Sequence, residues 1–495
     1  MVEDQKPDWE RFGRARKQSA PEIQVLNARR AHPVSFDVAS YYCQVWIHRA
    51  HVVMLQEQSI ITKEEAASIL RGLEMVERKA ERDPRLTVYM STETALIKEV
   101  GELGGKMHTA RSRNDLGHTQ RRLYYRDQVE RLIGAVIEFR ERLIEAAEDN
   151  LESYMPGYTH WRQAQPVTLA HYIMAHVEAA ARTVESLEGV YGRTDLSAMG
   201  AAAFAGTGWG IDRQRVRELL GFRDLAVNTQ DAVAAIDYFM ELSAAVAIHM
   251  SNLSRLAEDL QMWSSDEYSF LDFDEAYAGT SSIMPQKKNP LILEQVKSYA
   301  AEALGDMVAV IASMKGTAYT NIVDRVMLEP VSLDTAVGAT RVMGGLVGTL
   351  TPMKENMMKW LREGYSTMTE LADTLVRLHG LGFRQAHDIV VEVTVEAIEN
   401  GVRAEDISPE MVEKASKKIV GRPLKVPAGE LLEALDPVSN VRRRSLPGGP
   451  APEAVKNMII VQRRKLGEEK ARRMERVKVI ERAKIKLAEA MTLLM

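Results

Sequence analysis

From Asp237 to Trp263 the apolar residues Leu242, Ala245, Val246, Ile248, Leu253, Leu256, Leu260 and Trp263 fall largely three and four residues apart. That spacing keeps one face of an α-helix apolar along its whole length. Comparable patterns run from Leu123 to about Leu151, from Thr168 to Val190, from Ile292 to Met314 and over 335–361. A chain dominated by such stretches is expected to be all-α, its long helices packed on one another. A low aromatic share and 25 methionines fit close helix–helix contacts.

At 495 residues the chain is too long for one compact core, and ~3 domains or one elongated helical body is expected. Residues 1–20 are polar and aperiodic, which predicts an extended arm. From Asp37 the pattern turns helical, with Tyr41, Val45, Ile47, His48, Val52 and Leu55. Thr62 followed by Glu65 reads as a capping box for the stripe Ala66, Ile69, Leu70, Leu73 and Val76, which Asp83-Pro84 breaks. Near Tyr365 the helices become shorter. After Leu466 comes a basic helix, expected to pack on the surface or on a neighbour or to stay solvated, and to be dispensable for chemistry. The expected divisions are an N-terminal helical domain with its arm (1–115), a central long-helix domain (116–364), a small helical domain (365–466) and a basic helical tail (467–495).

The formal charge of −5 gives no footprint for nucleic acid. The single cysteine, Cys43, excludes an internal disulfide and a cysteine-based metal cluster. No secretory segment opens the chain, so a cytoplasmic location is expected. No apolar run reaches the ~20 residues of a membrane span.

Three polar stretches interrupt the helical patterns. Gly279 to Pro290 reads Gly-Thr-Ser-Ser-Ile-Met-Pro-Gln-Lys-Lys-Asn-Pro. It gathers hydroxyls (Ser281, Ser282), cations (Lys287, Lys288) and an amide (Asn289) between two prolines that stiffen it. Taken alone it fits an ordinary inter-helix loop as well as a catalytic one. Gly101 to Asp115 carries Lys106, His108, Thr109, Arg111, Ser112, Arg113, Asn114 and Asp115. Such a density of donors suits a wall that grips carboxylates, and equally a charged helix start capped by Asn114 or Asp115. Tyr158 to Pro166 places Thr159, His160 and Gln165 after a Pro-Gly break; a lone histidine is usually structural, yet an imidazole there could titrate near neutrality. Gly206-Thr207-Gly208 is no phosphate loop, because no strand precedes it and no Lys-Ser/Thr follows.

In order, these stretches resemble the shared regions of the fumarase/aspartase superfamily. The motif Ser-x-x-Met-Pro-x-Lys-x-Asn (281–289) resembles its signature loop, and the Gln-Lys-Lys-Asn-Pro ending resembles the argininosuccinate lyase branch. So do His108-Thr109-x-Arg111-Ser112-Arg113-Asn114-Asp115 and Gly157-Tyr158-Thr159-His160 with Ala164-Gln165-Pro166. Leu371-Ala372-Asp373-Thr374-Leu375-Val376-Arg377 resembles the branch's C-terminal domain, and the likeness runs from about Val88 to about Leu466. The resemblance implies β-elimination from an N-substituted aspartate, with fumarate as product and no cofactor or metal. It implies Ser281 as base, with Lys287 and Asn289 stabilising the carbanion's doubly charged carboxylate. Ser112, Arg113, Asn114 and Thr159 would hold the second carboxylate, and His160, tuned by Glu294, would be a candidate acid. Met284, Gln165, Tyr319 and His48 match further substrate-facing positions. It also implies a homotetramer whose central helices form one bundle, with each active site shared among three subunits.

Departures gather on the side that would bind the amine. The branch's Asn-Ser-Leu-Asp-Ala-Val-Ser-x-Arg-Asp stands here as Asn228-Thr229-Gln230-Asp231-Ala232-Val233-Ala234-Ala235-Ile236-Asp237. Leu291 replaces an aspartate, Thr280 a glycine and His48 a serine, and the run Tyr319 to Met327 lacks its glutamine and lysine. Three activities are therefore weighed: argininosuccinate lyase, a sister lyase acting on an aminopolycarboxylate of the ethylenediamine-disuccinate type, and a non-enzymatic crystallin-like protein. The intact Ser281, Lys287, Asn289 and His160 count against the last.

Overall fold

The computed structural model describes residues 34–87, 91–322 and 332–495. The expected arm over 1–20, the point near Val88 where the resemblance begins, and Val323 to Met327 lie outside the described residues. The described residues are mostly helical, as the apolar spacing predicts. Helices α1 (Val34–Glu57), α2 (Lys63–Ala80) and α3 (Ser91–Val100) come first. The capping box of α2 is complete: Glu65 N–H donates to Thr62 Oγ1 at 3.2 Å, and Thr62 N–H donates to Glu65 Oε2 at 3.0 Å.

A bundle follows, built from α4 (Arg113–Asp149) and α5 (Leu169–Thr194), then, past the short α6 (Arg213–Leu219) and α7 (Thr229–Ala234), from α8 (Asp237–Trp263), α9 (Leu291–Met314) and α10 (Ser332–Val347). Its interior is apolar, with Leu132, Val136, Val177, Val184, Leu242, Val246, Leu256, Leu293 and Leu346 buried. Each such side chain contributes ~1.5–3 kcal/mol by leaving water. Helix α4 starts ten residues before the apolar pattern does. Its first turns bury polar groups instead, among them Arg122, which donates to Arg193 O at 2.8 Å, so no hydrophobic period marks them.

Two stretches depart from the helical expectation. The segment 335–361 is not one helix: α10 ends at Val347, Thr351–Pro352 pairs with Leu271–Asp272 as a short antiparallel ladder, and α11 (Lys354–Glu363) follows. Pro352 lacks an N–H and disfavours helical backbone at Thr351, which explains the break. After α4 the chain forms a β-hairpin, β1 (Tyr154–Thr159) with β2 (Arg162–Thr168). Its register shifts between Pro156 and Tyr158. A Cβ on the intervening Gly157 would lie 2.8 Å from Gln165 O, so only glycine fits there.

The C-terminal helices α12 (Met368–His379), α13 (Phe383–Glu399), α14 (Pro409–Val420), α15 (Ala428–Leu435) and α16 (Pro437–Arg443) enclose a core of Leu371, Leu375, Ile389, Val393 and Leu431. The last helix, α17 (Pro452–Leu494), runs unbroken past Leu466 and returns along α4. Buried Arg140 meets Glu469 and Gln462 there. Arg476 bridges Glu130 (2.8 Å) and Glu188 (2.9 Å). Further on, Leu487, Met491 and Leu494 enter the core formed by α1, α2 and α6. Among the described residues no helix is long and apolar enough to cross a membrane.

Candidate active site

The signature stretch closes into a small hairpin. Gly279–Thr280 pairs antiparallel with Lys288–Asn289, leaving residues 281–287 as its tip. A Cβ on Gly279 would lie 2.1 Å from Leu291 Cδ1, so with leucine at 291 any larger residue in this strand would have to displace that side chain at the start of α9. The two lysines have different tasks. Lys288 turns back to the base of the hairpin, donating to Asp272 Oδ1 at 2.7 Å and to Phe273 O, with its ammonium over the Phe273 ring. Burial alone would raise the Asp272 carboxyl; the Lys288 and Phe273 hydrogen bonds outweigh it and hold it below its ordinary value. Lys287 lies exposed at the tip. There Ser281 Oγ accepts the backbone N–H of Met284 at 3.0 Å and that of Ile283 at 3.4 Å. Donors aimed at a hydroxyl oxygen favour its deprotonated form. Glu294 is exposed in the first turn of α9 and accepts from Gln261 Nε2 at 3.3 Å.

The second stretch ends at the N-terminus of α4. The cap is Ser112 rather than Asn114 or Asp115: its hydroxyl accepts Asn114 N–H, and Asp115 accepts Ser112 N–H at 2.9 Å. Arg113 is exposed beside it. A helix N-terminus flanked by serine, arginine and asparagine is a ready site for an anion. Asn114 also donates to Ala203 O at 2.8 Å and accepts from Asn321 Nδ2 at 2.6 Å. Tyr319, close by in sequence, donates from its hydroxyl to Asp231 at 2.5 Å and accepts Gln230 Nε2 at its carbonyl at 2.7 Å. His48 does not reach this surface. It is buried behind the stretch, its Nδ1 2.8 Å from Arg111.

The third stretch is the hairpin β1–β2. His160 and Trp161 form its two-residue tip, with φ of +52° and +61°. Both are exposed. Two adjacent non-glycine residues in left-handed backbone cost roughly 1–2 kcal/mol each, the sort of strain that gathers at functional sites. Thr159 ends β1, and Gln165 is exposed on β2. A cavity of about 270 Å³ opens beside the turn, lined in part by His160, Trp161, Tyr172, Asp259 and Trp263.

One chain thus assembles the site residues into three groups: Ser281, Met284, Lys287, Asn289 and Glu294; Ser112, Arg113, Asn114 and Tyr319; and Thr159, His160 and Gln165. Among the described residues no hydrogen bond or ion pair joins His160 to Glu294 or to Ser281. Asp115, a cap candidate by sequence, reaches further than a cap does. It is fully buried, and its second oxygen accepts Gly200 N–H (3.1 Å) and Ala202 N–H (2.9 Å), which fastens the loop after α5 against the N-terminus of α4. Burial raises its carboxyl even so. Among the described residues no group of three or more His, Cys, Asp or Glu side chains could hold a metal ion.

Residues 36–305 match the lyase family and residues 365–442 the argininosuccinate lyase C-terminal domain. Argininosuccinate lyase of Methanosarcina acetivorans is 38% identical over 453 residues, 90% of this chain and 91% of that protein. That of Methanocaldococcus jannaschii is 37% identical, covering 92% and 95%. A crystal structure of EDDS lyase in complex with formate superimposes with a TM-score of 0.90 at 42% identity, over 99% of this chain and 98% of that one. A fumarate lyase from Mesorhizobium sp. BNC1, 19% identical with a TM-score of 0.68, shares the fold. The chain belongs to this lyase family, in the argininosuccinate lyase branch of the fumarase/aspartase superfamily, and is a carbon–nitrogen lyase.

Proposed function

We propose that the enzyme catalyses reversible β-elimination of an N-substituted L-aspartate, argininosuccinate or a similar N-succinyl amine, to fumarate and the free amine. The observation that carries this is Ser281 Oγ, poised in the hairpin tip as acceptor of two backbone N–H groups. Ser281 takes the proton from the carbon beside a carboxylate. A serine is a weak base in water, and the two N–H donors, with Lys287 nearby and water excluded, lower its pKa. The carbanion survives because its carboxylate takes up the charge. Lys287, Asn289 and other backbone N–H groups of the loop are the donors for it. The other carboxylate sits at the α4 N-terminus on Ser112, Arg113 and Asn114, with Thr159 and Gln165 opposite. His160, coupled to Glu294, protonates the leaving nitrogen. Tyr319 borders the amine.

We assign these three groups to a site shared by three subunits of a homotetramer. Helix α9 supports this: beside its buried face, Leu304, Val308 and Ile311 form a second, exposed apolar stripe at 49%, 56% and 40% exposure. Ile248 on α8 is exposed as well. Soluble bundles rarely leave such a stripe uncovered. The enzyme would work in the cytoplasm.

The test is ultraviolet detection of fumarate from argininosuccinate and from ethylenediamine-disuccinate in parallel. Release from argininosuccinate supports the main reading. Release only from the second would place the specificity in His48, Leu291 and the Tyr319 region; a solved EDDS lyase is 42% identical to this chain. Mixing inactive Ser281→Ala and His160→Ala chains should restore part of the activity on co-assembly. No recovery in mixed tetramers would refute the shared site.

A further inference from the structure

The turn that leads into the α4 N-terminus is strained and anchored from behind. Ala110 has φ +63°, a left-handed conformation that costs a non-glycine residue roughly 1–2 kcal/mol. Two buried histidines of α1, His48 and His51, hold the residues on either side of it. His51 Nε2 lies 2.9 Å from Thr109 O. A carbonyl only accepts, so this nitrogen carries the proton. His48 Nδ1 lies 2.8 Å from Arg111 Nη1. A guanidinium only donates, so this nitrogen is bare. The other nitrogen of His48 then bears the hydrogen, which requires the Gln44 amide, whose Nε2 is placed 3.1 Å away, to turn its oxygen toward the ring. Gln44, His48 and His51 lie along one face of α1, four and three residues apart.

Both rings must be neutral for this arrangement, and their surroundings keep them so. Burial, then Arg111, then His51 and His108, push His48 well below its ordinary value. Burial first and Arg111 next push His51 down to about 3. Glu93, which also feels Arg111, is engaged by His108 Nδ1 at 3.1 Å.

We propose that His48 and His51 are positioning residues for the carboxylate-binding end of α4: by clamping Thr109 and Arg111 they force the Ala110 turn and so aim Ser112, Arg113 and Asn114 at the substrate. The proposal rests on the role given to those three residues under the proposed function. His48 touches no substrate in this reading. It stands where the branch has a serine, so its effect on selectivity passes through Arg111.

The experiment compares full-length His48→Asn and His48→Gln, with His48→Leu as a third variant. Asparagine can place an acceptor where Nδ1 lies, whereas glutamine places one where Nε2 lies. Two readouts are taken: fumarate binding by titration calorimetry, and KM against kcat for whichever N-succinyl amine the wild type cleaves. His48→Asn should stay within about threefold of wild type in both. His48→Gln should weaken fumarate binding and raise KM by roughly tenfold, with kcat at saturation little changed. Equal behaviour of the two variants, or a folded His48→Leu protein with wild-type KM and fumarate affinity, overturns the proposal. If the wild type cleaves neither amine, the functional reading fails, and fumarate binding still decides whether His48 positions a dicarboxylate site.

Discussion

Removing residues 481–495 should unfasten the N-terminal helices from the rest of the enzyme. Those residues carry Ala483, Leu487, Met491 and Leu494, all less than 10% exposed and all on the same side of α17. Leu487, Met491 and Leu494 join Leu55, Leu73, Leu219 and Phe222 in one core. The truncated chain lacks the burial of these three large apolar side chains, about 6 kcal/mol at roughly 2 kcal/mol each. That is comparable with the ~5–15 kcal/mol by which a whole domain is stable. The Lys486–Glu218 pair, lost with them, is largely exposed and adds little. Leu487→Ala alone should cost about 2–5 kcal/mol, whereas Leu493→Ala, at a position 75% exposed, should change nothing. Thermal melting and limited proteolysis of the full-length chain, the truncated chain and both point variants give the comparison. A truncated protein that melts and resists protease like the wild type would refute the reasoning. This replaces the expectation that the tail is dispensable, because the core it completes supports Ser112, Arg113 and Asn114.

Two further outcomes are expected. Gly279→Ala should lower kcat sharply without unfolding the bundle, since its Cβ would sit 2.1 Å from Leu291 Cδ1; Leu291→Ala in the same chain should restore activity, and failure to do so would remove steric crowding as the cause. Stability should fall steeply between pH 6.5 and pH 5. Burial holds His51 neutral down to about 3, and His176 and His249 down to about 4. Their folded values lie below the unfolded one of ~6.5, so the stability they contribute is complete above that pH and is lost as the pH drops toward the folded values. At pH 5 each forfeits about 2 kcal/mol. Urea midpoints at pH 7.5 and pH 5 check this, and equal midpoints would contradict it.

The bundle was legible because its helices are long and each buries an apolar stripe; Asp237–Trp263 begins and ends where its spacing does. The start of α4 was not, because Arg122 and Arg126 are buried through carbonyl and carboxylate partners more than sixty residues away. A sequence window sees two arginines and reads solvent. The hairpin β1–β2 was hidden for a different reason. Its tip uses His160 and Trp161 in left-handed backbone where asparagine or glycine would have announced a turn. The candidate residues were all visible as chemistry, in polar runs between helices. Their grouping was not, since it depends on which helix ends meet, and by the present proposal on neighbouring chains.

The division between kept and altered residues follows the same geometry. The groups proposed to form fumarate sit on features whose backbone is tightly specified: a hairpin in which a Cβ at 279 would crowd the Leu291 side chain, a capped helix end fastened by Asp115, and a strained two-residue turn. A change in any of them would move donors that must meet a developing charge, where small displacements are costly. The altered residues sit elsewhere. Gln230 on α7 stands where the branch has leucine, and it and the retained Asp231 each make one hydrogen bond to Tyr319. Such a surface can be rebuilt by side-chain substitution without disturbing the frame. An enzyme of this construction changes its amine while keeping its elimination chemistry. The Gln230–Tyr319–Asp231 contact is therefore the place to look for the determinant of the leaving group.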